Sequence, residues 1–231
     1  MTPSFVRRRG VRELMLFGAA YLLYNAGRGV TSGQMDLAQS NAQWVVGAQG
    51  GVGFEHGVQD ALGGALLSHV YLAAQIVVLP LVLLSMYRWA PRLYPRLRNT
   101  VIATWMLSLP VYALFPVAPP RLAEVGMTDF VSETSAVTLA GHSTWFYNPI
   151  AAVPSLHCGF ALALSVAVAM VVRRRWLKAL ALSWAPLVAL STVATANHYV
   201  FDVAAGVAIT LLGYLVVTWR PRPALRTAVA A

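Results

Sequence analysis

The sequence predicts an all-α membrane protein, a polytopic bundle of six transmembrane helices with both ends of the chain in the cytoplasm. The first observation is composition: 58% of the 231 residues are hydrophobic and 11% are charged, whereas about 25% of residues are charged in an average soluble domain. The second is that the apolar residues fall into runs close to the ~20 residues needed to cross a bilayer. The third is that the basic residues cluster between those runs.

The apolar runs supply the predicted helices in chain order. The six helices are expected at 14–30, 65–87, 99–118, 157–172, 178–197 and 199–219. No connection between them is long enough for a separate soluble domain. The chain therefore divides into a membrane domain at 14–219, an N-terminal cytoplasmic segment at 1–13 and a cytoplasmic tail at 220–231.

The basic clusters predict how this domain is oriented. When six helices alternate in direction, the clusters at 7–12, 88–98, 173–178 and 220–226 all fall on one side. Cytoplasmic loops are enriched in Arg and Lys, so that side is predicted to be cytoplasmic, and we expect a multi-pass protein of the plasma membrane. The net charge of +9 does not indicate a nucleic-acid partner, because the clusters are short and are not interleaved with aromatic residues.

Two arginines depart from this pattern. Arg28 and Arg121 fall on the outer side, together with the long connections at 31–64 and 119–156. One interpretation is that both side chains snorkel to the lipid headgroups. The other is a functional role, which is the default hypothesis for an ionisable residue at membrane depth.

The stretch NHYVFD, at 197–202, begins the last predicted helix. His198 and Asp202 are four residues apart, so their side chains share one face of that helix. A carboxylate in this place can accept the Nδ1–H of the imidazole and leave Nε2 with a free lone pair, as a nucleophilic or basic histidine requires. A polar pair that caps a helix explains the hexapeptide equally well.

The stretch PSLH, at 154–157, begins the fourth predicted helix. Pro154 suits a first helical turn, and the leading N–H groups of such a helix point outward and can bind an anion. Ser155 adds a hydroxyl donor, and His157 adds an imidazole that can protonate a leaving oxygen. Taken alone, the tetrapeptide is better explained by a helix cap and a packed histidine.

The stretch PVAPPRL, at 116–122, ends the third predicted helix. Pro119 and Pro120 stiffen the chain, and the Arg121 guanidinium that follows them is a bidentate phosphate ligand by type. Arg28 is a candidate for a second such ligand. Two histidines, a carboxylate, a serine, a helix N-terminus and two arginines on one membrane face together predict phosphoryl transfer.

In this order, an arginine, PS-x-H and H-x-x-x-D resemble the type-2 phosphatidic acid phosphatase superfamily. APPR, AAVPSLHCGFAL and ANHYVFDVAAG are similar to its inositol phosphorylceramide synthase (inositolphosphotransferase-like) branch, including bacterial members. The resemblance covers most of the chain and implies a six-helix membrane fold with metal-independent chemistry through a phosphohistidine, without a cofactor. It also implies His198 as the nucleophile with Asp202 as its partner, His157 as the general acid, and Arg121 and Ser155 as phosphate ligands.

The chain departs from the broad family pattern at two positions. The first motif of the family usually has a lysine seven residues before its arginine, and here that residue is Leu114. The third motif usually has an arginine six residues before its histidine, and here that residue is Thr192. Two cationic phosphate ligands are therefore absent, and our hypothesis is that Arg28 supplies the charge.

The expected activity is hydrolysis or transfer of the phosphoryl group of a lipid phosphate at the extracytoplasmic face of the membrane. Water as acceptor makes the protein a phosphatase, and a polyol acceptor such as inositol makes it a phosphotransferase of lipid metabolism. One alternative is a catalytically inactive lipid-binding, anion-binding or transport-like membrane protein. Another is a metal site made by His157, His198 and Asp202, a two-histidine, one-carboxylate set.

Several further residues are weaker candidates for the substrate pocket. His142 and Tyr147 precede PSLH, and Thr192 and Asn197 belong to the polar outer end of the fifth predicted helix. Ordinary interfacial roles are the alternative for the first two. A second set, in the first long connection, either lines a headgroup pocket or faces water: Glu55, His56 and Gln59.

Overall fold

A computed structural model describes residues 3–31, 34–133 and 150–219, apart from the side chains of residues 3–9, 25, 27–31 and 133. The helices are α1 (Pro3–Thr31), α2 (Met35–Ala48), α3 (Gly53–Leu62), α4 (Ala65–Trp89, with a π-helical segment at Ala74–Val78), α5 (Tyr94–Leu114), the single turn α6 (Phe130–Glu133), α7 (Leu156–Val171), α8 (Arg175–Ala194) and α9 (Val200–Thr218). A 3₁₀ turn spans Pro120–Leu122. The described residues form no β-strand, only an isolated bridge between Val117 and Ala151, so the all-α prediction is confirmed.

Three of the described helices are long and apolar enough to cross a membrane. They are α4, α8 and α9, whose most apolar windows have mean hydropathies of 2.1, 1.5 and 2.2. Helix α7 is a shorter apolar helix of 16 residues. These helices match four of the six predicted runs within a few residues at each end.

The third predicted helix ends earlier than the sequence suggested. Helix α5 stops at Leu114 and not at residue 118, because the residue before a proline is disfavoured in the helical conformation and Pro116 follows Phe115. The chain then pairs with other segments: Val117 N–H donates to the Ile150 carbonyl and Ala118 N–H to the Ala38 carbonyl, both at 3.0 Å. This pairing brings the Arg121 turn towards the beginning of α7.

The first long connection contains two helices. Helix α2 ends at a turn where Gly50 and Gly51 have φ of 83° and 108°, a left-handed conformation that glycine adopts without steric cost. Helix α3 begins two residues later. The small buried face of α2, which includes Ala38 and Ala42, packs against the segment after α5 and against Tyr199.

Contacts between the helices establish their relative directions. The His157 ring stacks on Tyr71 near the start of α4, and Ser155 N–H donates to the Asp202 carbonyl, so α4, α7 and α9 all begin at one end of the bundle. We call this the site end. Helix α5 finishes there, because the Tyr112 hydroxyl donates to the Pro154 carbonyl at 2.7 Å, whereas the basic clusters at 88–98 and 173–178 lie at the opposite ends of the same helices.

Helices α7 and α9 cross in close contact near the site end. A Cβ atom built on Gly206 would overlap the Ser155 carbonyl oxygen, and one on Gly159 would overlap the Thr210 hydroxyl and lie 3.0 Å from the Gly206 carbonyl oxygen. Only glycine allows the two backbones to approach this closely, as is common between helices in membranes. The crossing holds the beginnings of α7 and α9 side by side.

We therefore expect Gly206→Ala to destabilise the protein by about 1–3 kcal/mol, because overpacking forces a shift of backbone that cannot relax easily. Thermal unfolding of the detergent-purified protein would measure the loss. Gly47→Ala is the matched control, since Gly47 is also helical and nothing lies within 4 Å of its added Cβ. Equal melting temperatures for the two variants would show that the crossing tolerates a methyl group.

Candidate active site

Four segments meet at the site end. They are the 3₁₀ turn after α5, the beginning of α7, the end of α8, and the residues that lead into α9. The side chains that they bring together include Arg121, Ser155, His157, His198 and Asp202, which the sequence had placed in one site. Most are strongly buried: Ser155 and Asp202 are 0% exposed and His198 is 6% exposed.

The hydrogen bonds of His198 determine which of its ring nitrogens carries the proton. Nδ1 lies 2.9 Å from the Ala152 carbonyl oxygen and 3.2 Å from Asp202 Oδ2. A carbonyl oxygen only accepts hydrogen bonds, so Nδ1 must carry the proton and donate it. In the neutral ring, Nε2 then keeps its lone pair, as a nucleophile or base requires.

Asp202 connects the histidine to the backbone around it. Its Oδ2 also accepts the Tyr199 N–H at 2.9 Å, and its own carbonyl accepts the Ser155 N–H at 3.0 Å. The other carboxylate oxygen, Oδ1, has no hydrogen-bond partner among the described residues. The Asp202 side chain therefore orients the imidazole and caps the first turn of α9, and the Asp202 backbone carbonyl ties that turn to the residue just before α7.

His157 lies across the site from His198. The ring centroids are 5.9 Å apart and the ring planes are inclined by 56°. The imidazole of His157 stacks on Tyr71 with a centroid distance of 4.1 Å and an angle of 24°. Within the described part of the chain neither of its ring nitrogens has a hydrogen-bond partner, so stacking holds the ring while both nitrogens remain able to exchange a proton.

Ser155 is the N-cap of α7. Its Oγ accepts the Cys158 N–H at 3.4 Å, and α7 begins at Leu156. The expected start at Pro154 is therefore wrong: the proline precedes the cap and lies outside the first turn. Among the described residues, the N–H groups of Leu156 and His157 have no acceptor, and the Ser155 hydroxyl can still donate its own proton.

Arg121 is held in place from two sides. Its Nε donates to Asn197 Oδ1 at 3.0 Å, and an Nη lies 3.5 Å from Asp129 Oδ2. Its backbone N–H donates to the Ala196 carbonyl at 3.0 Å. The Arg121 side chain is 8% exposed, and these bonds tie it to the end of α8 and to the segment before α6.

The residues that differ from the family pattern lie in very different surroundings. Leu114 is 82% exposed on the outside of the bundle, whereas Thr192 is fully buried under the site. The Thr192 hydroxyl donates to the Ala189 carbonyl at 2.8 Å, and its own carbonyl accepts the N–H groups of Asn197 and His198. Thr192 thus supports the backbone that carries the nucleophile candidate.

Three of the predicted site residues cannot be placed. His142 and Tyr147 lie outside the described residues. Arg28 belongs to α1, but its side chain is also outside the description. The hypothesis that Arg28 supplies the charge missing at Leu114 and Thr192 therefore stays a prediction.

Four polar or aromatic residues of the site region are not predicted by the sequence in the places where they lie. Glu55 and Gln59 were expected to line a pocket or face water, but they are 1% and 7% exposed and point into the protein. Gln49 and Tyr71 were not singled out. Their only sequence signal is weak, since a glutamine in a turn and a tyrosine in an apolar helix are both ordinary.

The geometry does not favour a metal site made by His157, His198 and Asp202. Within the described ranges, no group of three or more His, Cys, Asp or Glu side chains is arranged to hold a metal ion. Asp202 lies against Nδ1 of His198, the nitrogen that carries a proton, and not beside the open Nε2.

Comparison with known proteins gives one family match. Residues 52–216 match the family model described as the PAP2 superfamily, a span that contains Arg121, Ser155, His157, His198 and Asp202. No curated protein matches the chain, and no solved structure matches it.

Proposed function

Because the chain belongs to the PAP2 superfamily, we propose that it is an integral membrane enzyme that removes or transfers the phosphoryl group of a lipid phosphate through a phosphohistidine. Members of that superfamily are phosphoesterases or phosphotransferases. The single observation that carries the proposal is the state of His198. A buried imidazole with its proton on Nδ1 presents a bare Nε2, beside a second histidine and a fixed guanidinium.

In the first step, the Nε2 lone pair of His198 attacks phosphorus and the bond from phosphorus to the leaving oxygen breaks. The positive charge that develops on the ring is stabilised by Asp202, whose carboxylate accepts the Nδ1–H. His157 gives a proton to the leaving oxygen, which departs as an alcohol or a phosphate. The products are a phosphohistidine and the free leaving group.

In the second step, His157 accepts a proton from the incoming oxygen nucleophile. That oxygen attacks phosphorus, the bond from phosphorus to Nε2 breaks, and the electron pair returns to the ring of His198. Water as the nucleophile gives inorganic phosphate, and a polyol hydroxyl gives a new phosphodiester when the donor is itself a diester. Both histidines return to their starting protonation states.

The phosphate ligands follow from the same geometry. Arg121 and the Ser155 hydroxyl, together with the N–H groups at the start of α7, supply donors for the non-reacting oxygens of the phosphoryl group. Such donors are most effective where charge develops in the transition state and water is excluded. No cofactor and no metal ion takes part in this proposal.

The proposed location is a multi-pass plasma-membrane protein of six spans, with the site end facing the extracytoplasmic side. Support comes from the alternating directions of the helices and from the basic clusters at 88–98 and 173–178, which lie away from the site end and favour the cytoplasm. A lipid substrate is consistent with catalytic residues at the ends of apolar helices, near the depth of lipid headgroups. The likeness of the three motifs to the inositol phosphorylceramide synthase branch favours transfer to an alcohol acceptor over hydrolysis.

The test of this function is a panel of lipid phosphates with the purified protein. Phosphatidate, polyprenyl phosphates and diphosphates, and phosphatidylinositol would each be incubated with and without inositol, and free phosphate would be measured against new phosphodiester. We expect turnover of at least one lipid, and its absence in His198→Ala. Binding of the same lipids without any turnover would support the inactive lipid-binding alternative instead.

We expect Arg121→Lys to lower kcat/KM by about 10-fold or more, a loss of about 1.4 kcal/mol in transition-state stabilisation. A lysine ammonium cannot reproduce the planar guanidinium that bonds Asn197 through Nε and faces Asp129 through Nη. Steady-state kinetics on the fastest lipid of the panel would measure the change. Arg96→Lys is the matched control, because Arg96 is exposed near the start of α5; equal losses in both variants would contradict a role at the phosphate.

A further inference from the structure

We infer that helix α3 is the positioning element of the site: Glu55 holds the nucleophile His198 in place, and Gln59 holds the phosphate ligand Arg121 in place. Neither side chain touches the reacting atoms. The inference rests on the proposed function, since it assigns these two residues to the two halves of the same reaction. It begins from an unusual feature, two buried polar side chains one helical turn apart on a short helix.

Glu55 acts on the beginning of α9. Its Oε1 accepts the Val200 N–H at 3.1 Å and the Gln49 amide at 2.7 Å. Gln49 in turn accepts the Phe201 N–H through its own Oε1 at 3.2 Å. The first N–H groups of a helix have no partner within the helix, and here two of them are satisfied by side chains from α3 and from the turn before it.

His198 therefore lies next to the first turn of α9, whose N–H groups are bound by side chains from other segments. Asp202 binds the Tyr199 N–H, while Glu55 and Gln49 bind the next two. These bonds determine where the backbone at residues 199–201 lies, and therefore where the imidazole of the preceding residue points. Misplacement of a nucleophile by about 1 Å lowers the rate of the chemical step far more than it weakens substrate binding.

Gln59 acts on the two segments that hold Arg121. Its Nε2 donates to the Ala194 carbonyl at 2.9 Å and to the Thr128 carbonyl at 3.0 Å. Its Oε1 accepts the Thr128 N–H at 2.9 Å. One amide therefore joins the end of α8 to the segment before α6.

Those two segments supply two side-chain partners of Arg121. Asn197 follows the end of α8 by three residues, and Asp129 is the neighbour of Thr128. Loss of the Gln59 bridge releases both partners, so the guanidinium loses its fixed direction while the nucleophile keeps its own. The effect is expected mainly on the binding of the phosphate, in the ground state and in the transition state alike.

The experiment compares Glu55→Ala, Glu55→Gln and Gln59→Ala in the full-length protein in detergent micelles, with phosphatidate and the other lipids of the panel as substrates. Glu55→Ala should lower kcat by about 10-fold or more with KM within about 2-fold, and Gln59→Ala should raise KM by about 5-fold with a smaller change in kcat. Glu55→Gln keeps an oxygen acceptor for Val200 and Gln49, so it should recover most of the kcat that the alanine variant loses. Asp60→Ala is the control, since Asp60 is an exposed carboxylate of the same helix.

A second measurement does not depend on turnover. Hydrogen–deuterium exchange should rise at residues 199–203 in Glu55→Ala and at residues 121–129 in Gln59→Ala, and each region should stay protected in the other variant. Equal changes in kcat, KM and melting temperature in both variants would overturn the inference in favour of a general stabilising role. Hydrogen–deuterium exchange that rises throughout the protein would do the same. If the wild-type protein turned over no lipid phosphate, the proposed function would fail. The pattern of hydrogen–deuterium exchange alone would then show whether Glu55 and Gln59 hold their two segments in place.

Discussion

His198→Asn should abolish turnover, with a fall in kcat of about 10⁴-fold or more, the size of loss seen when a nucleophile is removed from a catalytic unit. Asparagine is chosen because its side-chain N–H can still donate to the Ala152 carbonyl or to Asp202, where His198 Nδ1–H donates now. The variant therefore keeps the structural bonds of the imidazole and loses only the nucleophilic Nε2. Phosphate release from the best lipid substrate is the primary measurement.

Direct detection of the intermediate completes this test. After rapid mixing with a phosphorus-labelled lipid and quenching, the wild-type protein should carry an acid-labile, alkali-stable phosphoryl group on His198, and the asparagine variant should carry none. His69→Asn is the matched control, because His69 is an exposed histidine of α4 whose Nδ1 lies 3.0 Å from the Ala65 carbonyl oxygen of its own helix. Labelling that persists without His198 would place the covalent intermediate elsewhere and refute the proposed mechanism.

His157→Gln should lower kcat by about 10²–10⁴-fold on a lipid whose leaving group is an alkoxide, the contribution typical of general acid–base catalysis. The physical reason is that an alkoxide is a poor leaving group unless it is protonated as the bond breaks. A phenolate with an electron-withdrawing nitro group leaves without that proton. The same variant should therefore form the phosphohistidine at nearly the wild-type rate from a p-nitrophenyl phosphate ester.

The two substrates separate proton donation from mere positioning. In His157→Gln, p-nitrophenol should appear in a burst and the phosphoenzyme should accumulate, because the second step still lacks its base. Tyr71→Leu is the variant to compare, since it removes the ring on which His157 stacks and keeps the imidazole. Its kcat should fall less than that of His157→Gln. An equal loss in the rate of phosphohistidine formation from both substrates in His157→Gln would mean that His157 orients the phosphate and is not the acid.

Short stretches of sequence predict most of the groups that the proposed mechanism uses. His198 and Asp202 could be paired because a spacing of four residues places two side chains on one helical face, and the structure joins them at 3.2 Å. His157 and Arg121 were identified by residue type and order, and both lie at the site end. The all-α class followed in the same way from apolar runs of bilayer length, which need no tertiary contact to be recognised.

Other features required the folded chain. The Ala152 carbonyl, which shows that Nδ1 carries the proton, is 46 residues away in sequence, and no local pattern predicts such a contact. Helix α5 ends four residues early because of the Phe115–Pro116 junction and the pairing of Val117 with Ile150. Helix α7 begins after Ser155 and not at Pro154, and the Ser155 N–H bonds the distant Asp202 carbonyl.

Sequence patterns say least about the residues that support the site without taking part in the reaction. Glu55 and Gln59 look like solvent-exposed polar residues of a glycine-rich connection, because composition carries no information about which distant groups will cover them. Their roles depend on Val200 and Ala194, which lie 145 and 135 residues further along the chain. Local spacing identifies groups that act on one helix face, whereas supporting contacts arise only when distant segments pack and leave buried polar groups that must be satisfied.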